Sequence, residues 1–207
     1  MKRPLVLLLF IVSAAAGVMP PGTVFAQTSD SVNFGFGGVP GLMNHCDSNV
    51  YIFEYEHMLA DSKFTVLGRG SEVDYQFDDG IYREEGKPRG VEVGARYYFD
   101  GGMTGFFIGG TVGYWTADWT FTSDKGTVNE AQGKGDADSI RANVDMGGRF
   151  PLGSSAVSIV PALNIGKYFS STSCEYTVPA LLIGTACSQD TKVQAYIFLS
   201  VMVGIGF

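Results

Sequence analysis

Two groups of residues in this chain have types and spacing that could do chemistry. The first is a set of eight charges: Glu54, Glu56, Arg69, Glu92, Arg96, Arg141, Asp145 and Arg149. They fall on the alternate, polar positions of stretches whose other positions are apolar. Glu92 and Arg96, for example, are interleaved with Val91, Val93, Ala95 and Tyr97. Four carboxylates facing four guanidiniums could form a proton or ion path. They could equally form a neutral salt-bridge plug, because an arginine fork binds carboxylates bidentately and an unpaired buried charge is costly. The even balance of signs favours the plug. The second group is His45-Cys-Asp-Ser48-Asn. A serine hydrolase needs a histidine within hydrogen-bond reach of the nucleophile and a third group to orient it. A simple Asn/Asp/Ser turn accounts for the same residues, so no catalytic residue is assigned. The chain has no phosphate loop, CxxC pair or zinc-ligand spacing, so no cofactor or metal site is expected. His57 lacks a second ligand nearby in sequence.

The chain opens with Lys2 and Arg3, an apolar run from Leu5 to Val18, and Val24-Phe25-Ala26. That pattern reads as a secretory signal peptide cut after Ala26. Residues 27–207 are then expected to form one domain. Removing Lys2 and Arg3 takes the 14 basic residues to 12, against 21 acidic ones, a net charge of −9. Such a surface is a poor match for nucleic acid. Export permits disulfides, and three cysteines leave one over. Cys174 and Cys187 fall in one expected loop and are read as the pair. Cys46 is then a free thiol or an alternative partner.

Positioning the eight charges requires strands. Val193 to Phe207 places an apolar residue at every odd position, a strict period of two. Similar alternation marks strands at 31–38, 50–59, 64–75, 90–99, 105–121, 138–150 and 155–169. Short turns are expected at 60–63, 100–103 and 151–154. Longer loops are expected at 39–49, 78–89, 122–137 and 170–190. The run 193–207 exceeds the roughly 9–11 residues that a tilted strand needs to cross a bilayer. No stretch approaches the ~18 continuous apolar residues of a membrane-spanning helix. The expected fold is therefore all-β, an eight-stranded antiparallel up-and-down transmembrane barrel, polar inside and apolar outside. A soluble barrel with a small ligand inside would need the apolar face inward. Tyr97, Tyr98, Phe99, Trp115, Trp119, Phe121, Phe150, Tyr168 and Phe169 crowd the strand ends and read as two interfacial aromatic girdles.

Three segments carry a family resemblance: Gly90-Val-Glu-Val-Gly-Ala-Arg-Tyr-Tyr-Phe99, Gly105-Phe-Phe-Ile-Gly-Gly-Thr-Val-Gly-Tyr114 and the strand ending at Phe207. Through them the chain resembles the small eight-stranded outer-membrane barrels of the OmpA/OmpX type. The resemblance implies a monomer in a Gram-negative outer membrane, contacting lipid and lipopolysaccharide, with loops open to an extracellular partner. It also implies insertion by the barrel assembly machinery, with Phe207 as the signal that is read. It brings no enzymatic activity and no cofactor. His45 and Ser48 stand close to the His-x-Ser-Asn pattern of outer-membrane lipid A deacylases, with one residue more between them and on an early loop. A lipid A-modifying hydrolase and a narrow porin-like channel are thus the alternatives to a structural or surface-interaction role.

Overall fold

A computed structural model describes residues 29–38, 46–60, 62–178 and 183–207. Ala26 and His45 lie outside the described residues. The rest forms nine strands: β1 (Asp30–Gly38), β2 (Cys46–Met58), β3 (Phe64–Asp78), β4 (Arg83–Gly86), β5 (Arg89–Tyr98), β6 (Gly105–Ser123), β7 (Ala131–Pro151), β8 (Val157–Val178) and β9 (Ile183–Gly206). All pairings are antiparallel, and β1 pairs with both β2 and β9, so the sheet closes on itself. β4 and β5 share one place in the wall. Both lie between β3 and β6. The wall therefore has eight positions, the up-and-down barrel expected from the alternation.

Pro88 explains the break between β4 and β5, since it has no N–H to give to a ladder. The gap is stitched from both sides. Val73 N–H donates to the Pro88 carbonyl at 2.7 Å, and Lys87 N–H donates to the Asp118 carbonyl at 3.1 Å.

Strand pairing fixes which side chains share a row, because directly opposed residues point to the same face. One inward row is Glu54, Arg69, Glu92, Gly113 and Arg141. Another is Glu56, Leu67, Gly94, Thr111 and Asn143. A third runs Thr65, Arg96, Gly109, Asp145 and Asn164. The outward face is apolar: Phe36, Val91, Val93, Phe106, Ile140 and Val203 are all exposed. A polar interior inside an apolar exterior inverts the arrangement of a water-soluble domain and suits lipid.

The short turns lie at one end, with β1 and β9 beginning and ending beside them. Gly101, Gly102 and Met103 take positive φ in the turn between β5 and β6. That twist sends Met103 inward, where it is 1% exposed and packs with Met58, Tyr98 and Phe107. One side of the barrel floor is therefore apolar, while Arg149, Ser31 and Ser158 make the other side polar.

The opposite end departs from expectation. The expected loops 122–137 and 170–190 are largely strand. β6 runs to Ser123, β7 starts at Ala131, β8 reaches Val178 and β9 starts at Ile183. Cys46–Asn49 and Arg83–Gly86 are likewise strand rather than loop. At ~3.3 Å per residue the 22 residues of β8 span about 70 Å, far more than an apolar band of roughly 25 Å. Outward apolar residues stop where the band stops, but the hydrogen-bonded ladder continues with polar residues outside. Apolar alternation therefore marks only the middle of each strand.

Close inward approach depends on glycine. A Cβ at Gly113 would lie 2.2 Å from the Val91 carbonyl oxygen and 2.6 Å from Glu92 Cγ. One at Gly68, on the outer face, would meet nothing within 4 Å. Gly113→Ala should cost about 1–3 kcal/mol through overpacking. Gly68→Ala should stay within about 0.5 kcal/mol of the parent. Urea unfolding of the vesicle-inserted barrel measures both.

Candidate functional site

The candidate site is the polar interior. Each member is aimed inward by strand pleat, and the rows above set which members can meet. Arg96 on β5 is the hub. Its Nη1 donates to Glu54 Oε1 at 2.6 Å and to Glu56 Oε2 at 3.0 Å, and its Nη2 donates to Glu54 Oε2 at 2.8 Å. Its Nε reaches Asp145 Oδ2 at 2.8 Å. Arg96 and Asp145 lie two strands apart, with Gly109 between them in the row. A Cβ at Gly109 would come within 2.7 Å of Arg96 Cγ and 3.1 Å of Asp145 Oδ1. The missing side chain is what lets the pair form. The Arg96 guanidinium also stacks over the Phe107 ring, 4.4 Å from its centroid.

Arg69 and Arg149 extend the network up and down. Arg69 pairs with Glu54 at 2.8 Å, and with Glu92 and Asp145 at 3.4 Å each. Arg149 pairs with Glu56 at 2.8 Å and donates to Ser31 Oγ at 2.7 Å, Ser158 Oγ at 3.2 Å and Asn33 Oδ1 at 3.1 Å. Neutral groups add to the shells of Glu54, Glu56 and Glu92, whereas Asp145 Oδ1 is buried without a partner among the described residues. Thr65 and Tyr98 donate to Glu56, and Asn33 donates to Glu54. Thr111, Trp115 and Asn143 donate to Glu92. The carboxylates of Glu54, Glu56 and Asp145 have no solvent exposure.

Seven of the eight charges singled out in the sequence are thus joined in one continuous network. Arg141 stands apart. Among the described residues no carboxylate lies within ion-pair distance of it. Its guanidinium instead lies 3.6 Å from the Trp115 ring centroid, with Tyr196 at 5.3 Å and Tyr168 at 5.6 Å. Guanidinium is weakly hydrated and stacks on aromatic faces, which accounts for this aromatic seat. Three arginines against four carboxylates leave the network one negative charge. Arg141 is held one ring away, over the Trp115 that donates to Glu92, and restores the balance at a distance.

The two-girdle reading of the aromatics is corrected here. Tyr97, Phe99, Phe150 and Phe169 do lie on the outer face. Tyr98, Trp115, Trp119, Phe121 and Tyr168 lie on the inner one. Tyr98 shares its parity with Arg96, and Trp115 shares its parity with Gly113 and Thr111, so period two was the signal available for them. Above the charges, inward aromatics form a second storey. Tyr82 stacks on Phe121, and Tyr75 donates to Glu84 at 2.6 Å. Tyr82 donates to the same carboxylate. Burial first, and then Glu84, hold the Tyr82 phenol above its ordinary value. Gly133 and Gly135 make room for this storey, since a Cβ at either would fall within 2.5 Å of the Phe121 or Trp119 ring.

Ser48 lies on β2 opposite Tyr75, at the far end from the charges. His57 lies at the turn end, where its Nδ1 is 2.9 Å from Asp30 Oδ1. No group of metal-ligating residues occurs among the described residues.

No protein-family model matches the chain, and no curated protein matches it. Solved structures do. The translocator domain of the autotransporter NalP from Neisseria meningitidis aligns at 8% identity and a TM-score of 0.52, covering 96% of this chain and 67% of that one. The chain shares the outer-membrane barrel fold. The N-terminal β-barrel domain of Pseudomonas aeruginosa OprF aligns more loosely, at 11% identity and a TM-score of 0.36, over 87% of this chain and 98% of that one. Outer membrane protein AlkL aligns at 12% identity and a TM-score of 0.34, over 92% and 93%. At such identities the likeness concerns the fold and nothing finer.

Arg96→Ala leaves Glu54, Glu56 and Asp145 short of a buried counter-charge and should cost about 3–5 kcal/mol. Lys87→Ala removes an exposed pair with Asp74 and should cost at most about 1 kcal/mol. Arg141→Ala loses an aromatic seat and a distant balancing charge but no direct ion pair, and should fall between them, at about 2 kcal/mol. Equilibrium urea titration in lipid vesicles ranks the three. Equal costs for Arg96→Ala and Lys87→Ala would refute the assignment of Arg96 as hub.

Proposed function

We propose that this protein is an outer-membrane β-barrel with a structural or surface-interaction role, and that its lumen is closed by its own charges. The observation that carries this is the buried network around Arg96, which spans the interior from β1 to β8. An eight-position barrel leaves an interior only about wide enough for side chains. Here those side chains are hydrogen-bonded to one another, with the Met58, Met103 and Phe107 cluster below on one side and stacked aromatics above. Nothing in that arrangement calls for catalysis, and Ser48 lies away from it.

Planar-bilayer recording of the purified barrel tests the plug. The wild type should show no steady conductance. Arg96→Ala should show intermittent openings, because the released carboxylates draw in water. A large, persistent wild-type current would replace the plug with a porin-like channel. The hydrolase alternative predicts that Ser48→Ala changes the lipid A profile of cells carrying the protein. An unchanged profile supports the non-enzymatic role.

The same reading assigns Phe207 to assembly by the barrel machinery. Its ring is 66% exposed, while its backbone exchanges hydrogen bonds with Asp30 at 2.9 and 3.1 Å across the closing β1–β9 seam. Deleting Phe207 should lower the folded, heat-modifiable fraction in the outer membrane. Unchanged levels would reject the assembly role. Cys174 and Cys187 are opposed in the β8–β9 register, and we propose a disulfide between them. A crosslink closing about a dozen residues stabilises by roughly 3 kcal/mol in the chain-entropy view. Peptide mass mapping of non-reduced protein that joins Cys46 to either one would overturn it.

A further inference from the structure

Among the described residues, the large apolar side chains that stand exposed lie on the lipid-facing wall or at the short-turn end, with two exceptions. Ile81, in the turn between β3 and β4, is 65% exposed, and Val128, in the turn between β6 and β7, is 81% exposed. Both stand at the end opposite the short turns. A row of outward polar residues separates them from the apolar band. Asp47, Gln76, Glu85, Thr120, Lys134 and Glu175 face one another in register from β2 round to β8. Lipid tails therefore do not cover Ile81 and Val128. One exposed aliphatic residue needs no explanation, but these two share a single rigid tip.

Hydrogen bonds build that tip. Asp79 Oδ1 accepts from Ile81 N–H at 3.0 Å and from Tyr82 N–H at 2.7 Å. The Ile81 carbonyl accepts from Lys125 N–H at 3.0 Å, which ties the two turns together. Lys125 Nζ adds an ion pair with Asp78 at 3.4 Å. In the second turn Thr127 N–H donates to the Asp124 carbonyl at 3.0 Å, and Asn129 N–H donates to Thr127 Oγ1 at 3.1 Å. Below, Tyr82 stacks on Phe121. The backbone of both turns is held while the two aliphatic side chains stay open, so docking on them has little left to order.

The charge around the tip is acidic. Asp78, Asp79, Asp124 and Glu130 face two cations, and both cations are engaged, Lys125 with Asp78 and Arg83 with Glu85 at 3.1 Å. Asp124 and Glu130 make no ion pair among the described residues. Gly126 N–H donates to Glu130 at 2.8 Å and holds its carboxyl below the usual range, so it stays charged. Such a rim repels lipopolysaccharide phosphates and other polyanions. Aliphatic tips also offer no ring on which a sugar could stack. The tip complements a chain that carries apolar and basic groups together.

We infer that the tip carrying Ile81 and Val128 docks a cationic amphipathic peptide, with its apolar side chains on the two aliphatics and its lysines or arginines on Asp124 and Glu130. This rests on the surface-interaction role proposed above and names the partner's chemistry.

NMR of the full-length barrel in phosphatidylcholine nanodiscs tests it, with a synthetic leucine–lysine amphipathic peptide as the probe. The peptide should shift the Ile81 and Val128 methyl signals saturably, and a leucine–glutamate peptide of the same pattern should not. Reading the tip itself excludes peptide that only enters lipid. Ile81→Ser with Val128→Ser, followed at the Gly126 amide, should weaken binding about tenfold. Asp124→Asn with Glu130→Gln should weaken it and flatten its salt dependence. Asp118→Asn with Asp136→Asn removes the same charge from the outer wall below and should leave binding unchanged. Heat-modifiable migration verifies that each variant is folded. Unmoved Ile81 and Val128 methyls, equal binding of the leucine–glutamate peptide, full affinity in the folded serine variant, or an equal loss from Asp118→Asn with Asp136→Asn would each overturn the assignment. An antibody against residues 124–130 that stains only permeabilised cells would instead refute the outward placement itself.

Discussion

Closing the sheet is the constraint on which everything else depends. Once Ser31–Gly38 of β1 pair with Leu199–Gly206 of β9, the sheet closes on itself and that part of the wall has no edge to protect. Closure at eight positions also sets the interior width. An interior of that width is about what side chains can fill, and here they do. Most polar side chains placed there find their partners there, the Arg141 Nε and Asp145 Oδ1 atoms being exceptions among the described residues.

The arginines meet that demand because each carries five donors in a planar fork. Arg96 uses its fork on three carboxylates from two sides of the barrel. That reach depends on absence as much as presence. Gly109 leaves the gap through which Arg96 meets Asp145, and Gly113 leaves the space beside Glu92. Glycine, usually a weak strand residue, is used here where two large side chains must cross one row. The same device returns above, where Gly133 and Gly135 admit the Phe121 and Trp119 rings.

Inside and outside then impose opposite rules on adjacent residues. Val91 and Val93 are exposed while Glu92 between them is buried. In water this would be inside-out. In lipid the exposed valines cost nothing, and the buried glutamate is covered by Thr111, Trp115, Asn143 and Arg69. A one-residue slip of register would send both sets to the wrong face, so the alternation pins the pairing strongly.

Much of this was legible in order of residues alone. A period of two is a local property, and it settled the strand type, the even number of wall positions, the short turns at one end and which charges face in. Partnership is not local. That Arg96 meets Asp145 across Gly109, that Arg141 sits on Trp115 rather than on a carboxylate, and that Tyr98 and Trp115 belong to the interior follow from strand register and lateral neighbours. Strand ends were also hidden, because apolar alternation reports contact with lipid whereas the hydrogen-bonded ladder continues past it with polar residues outside. The sequence by itself determined the two faces of each strand, because pleat geometry links face to parity. Only the tertiary structure decided which residues touch, because contacts inside a closed barrel depend on rows assembled from strands far apart in the chain.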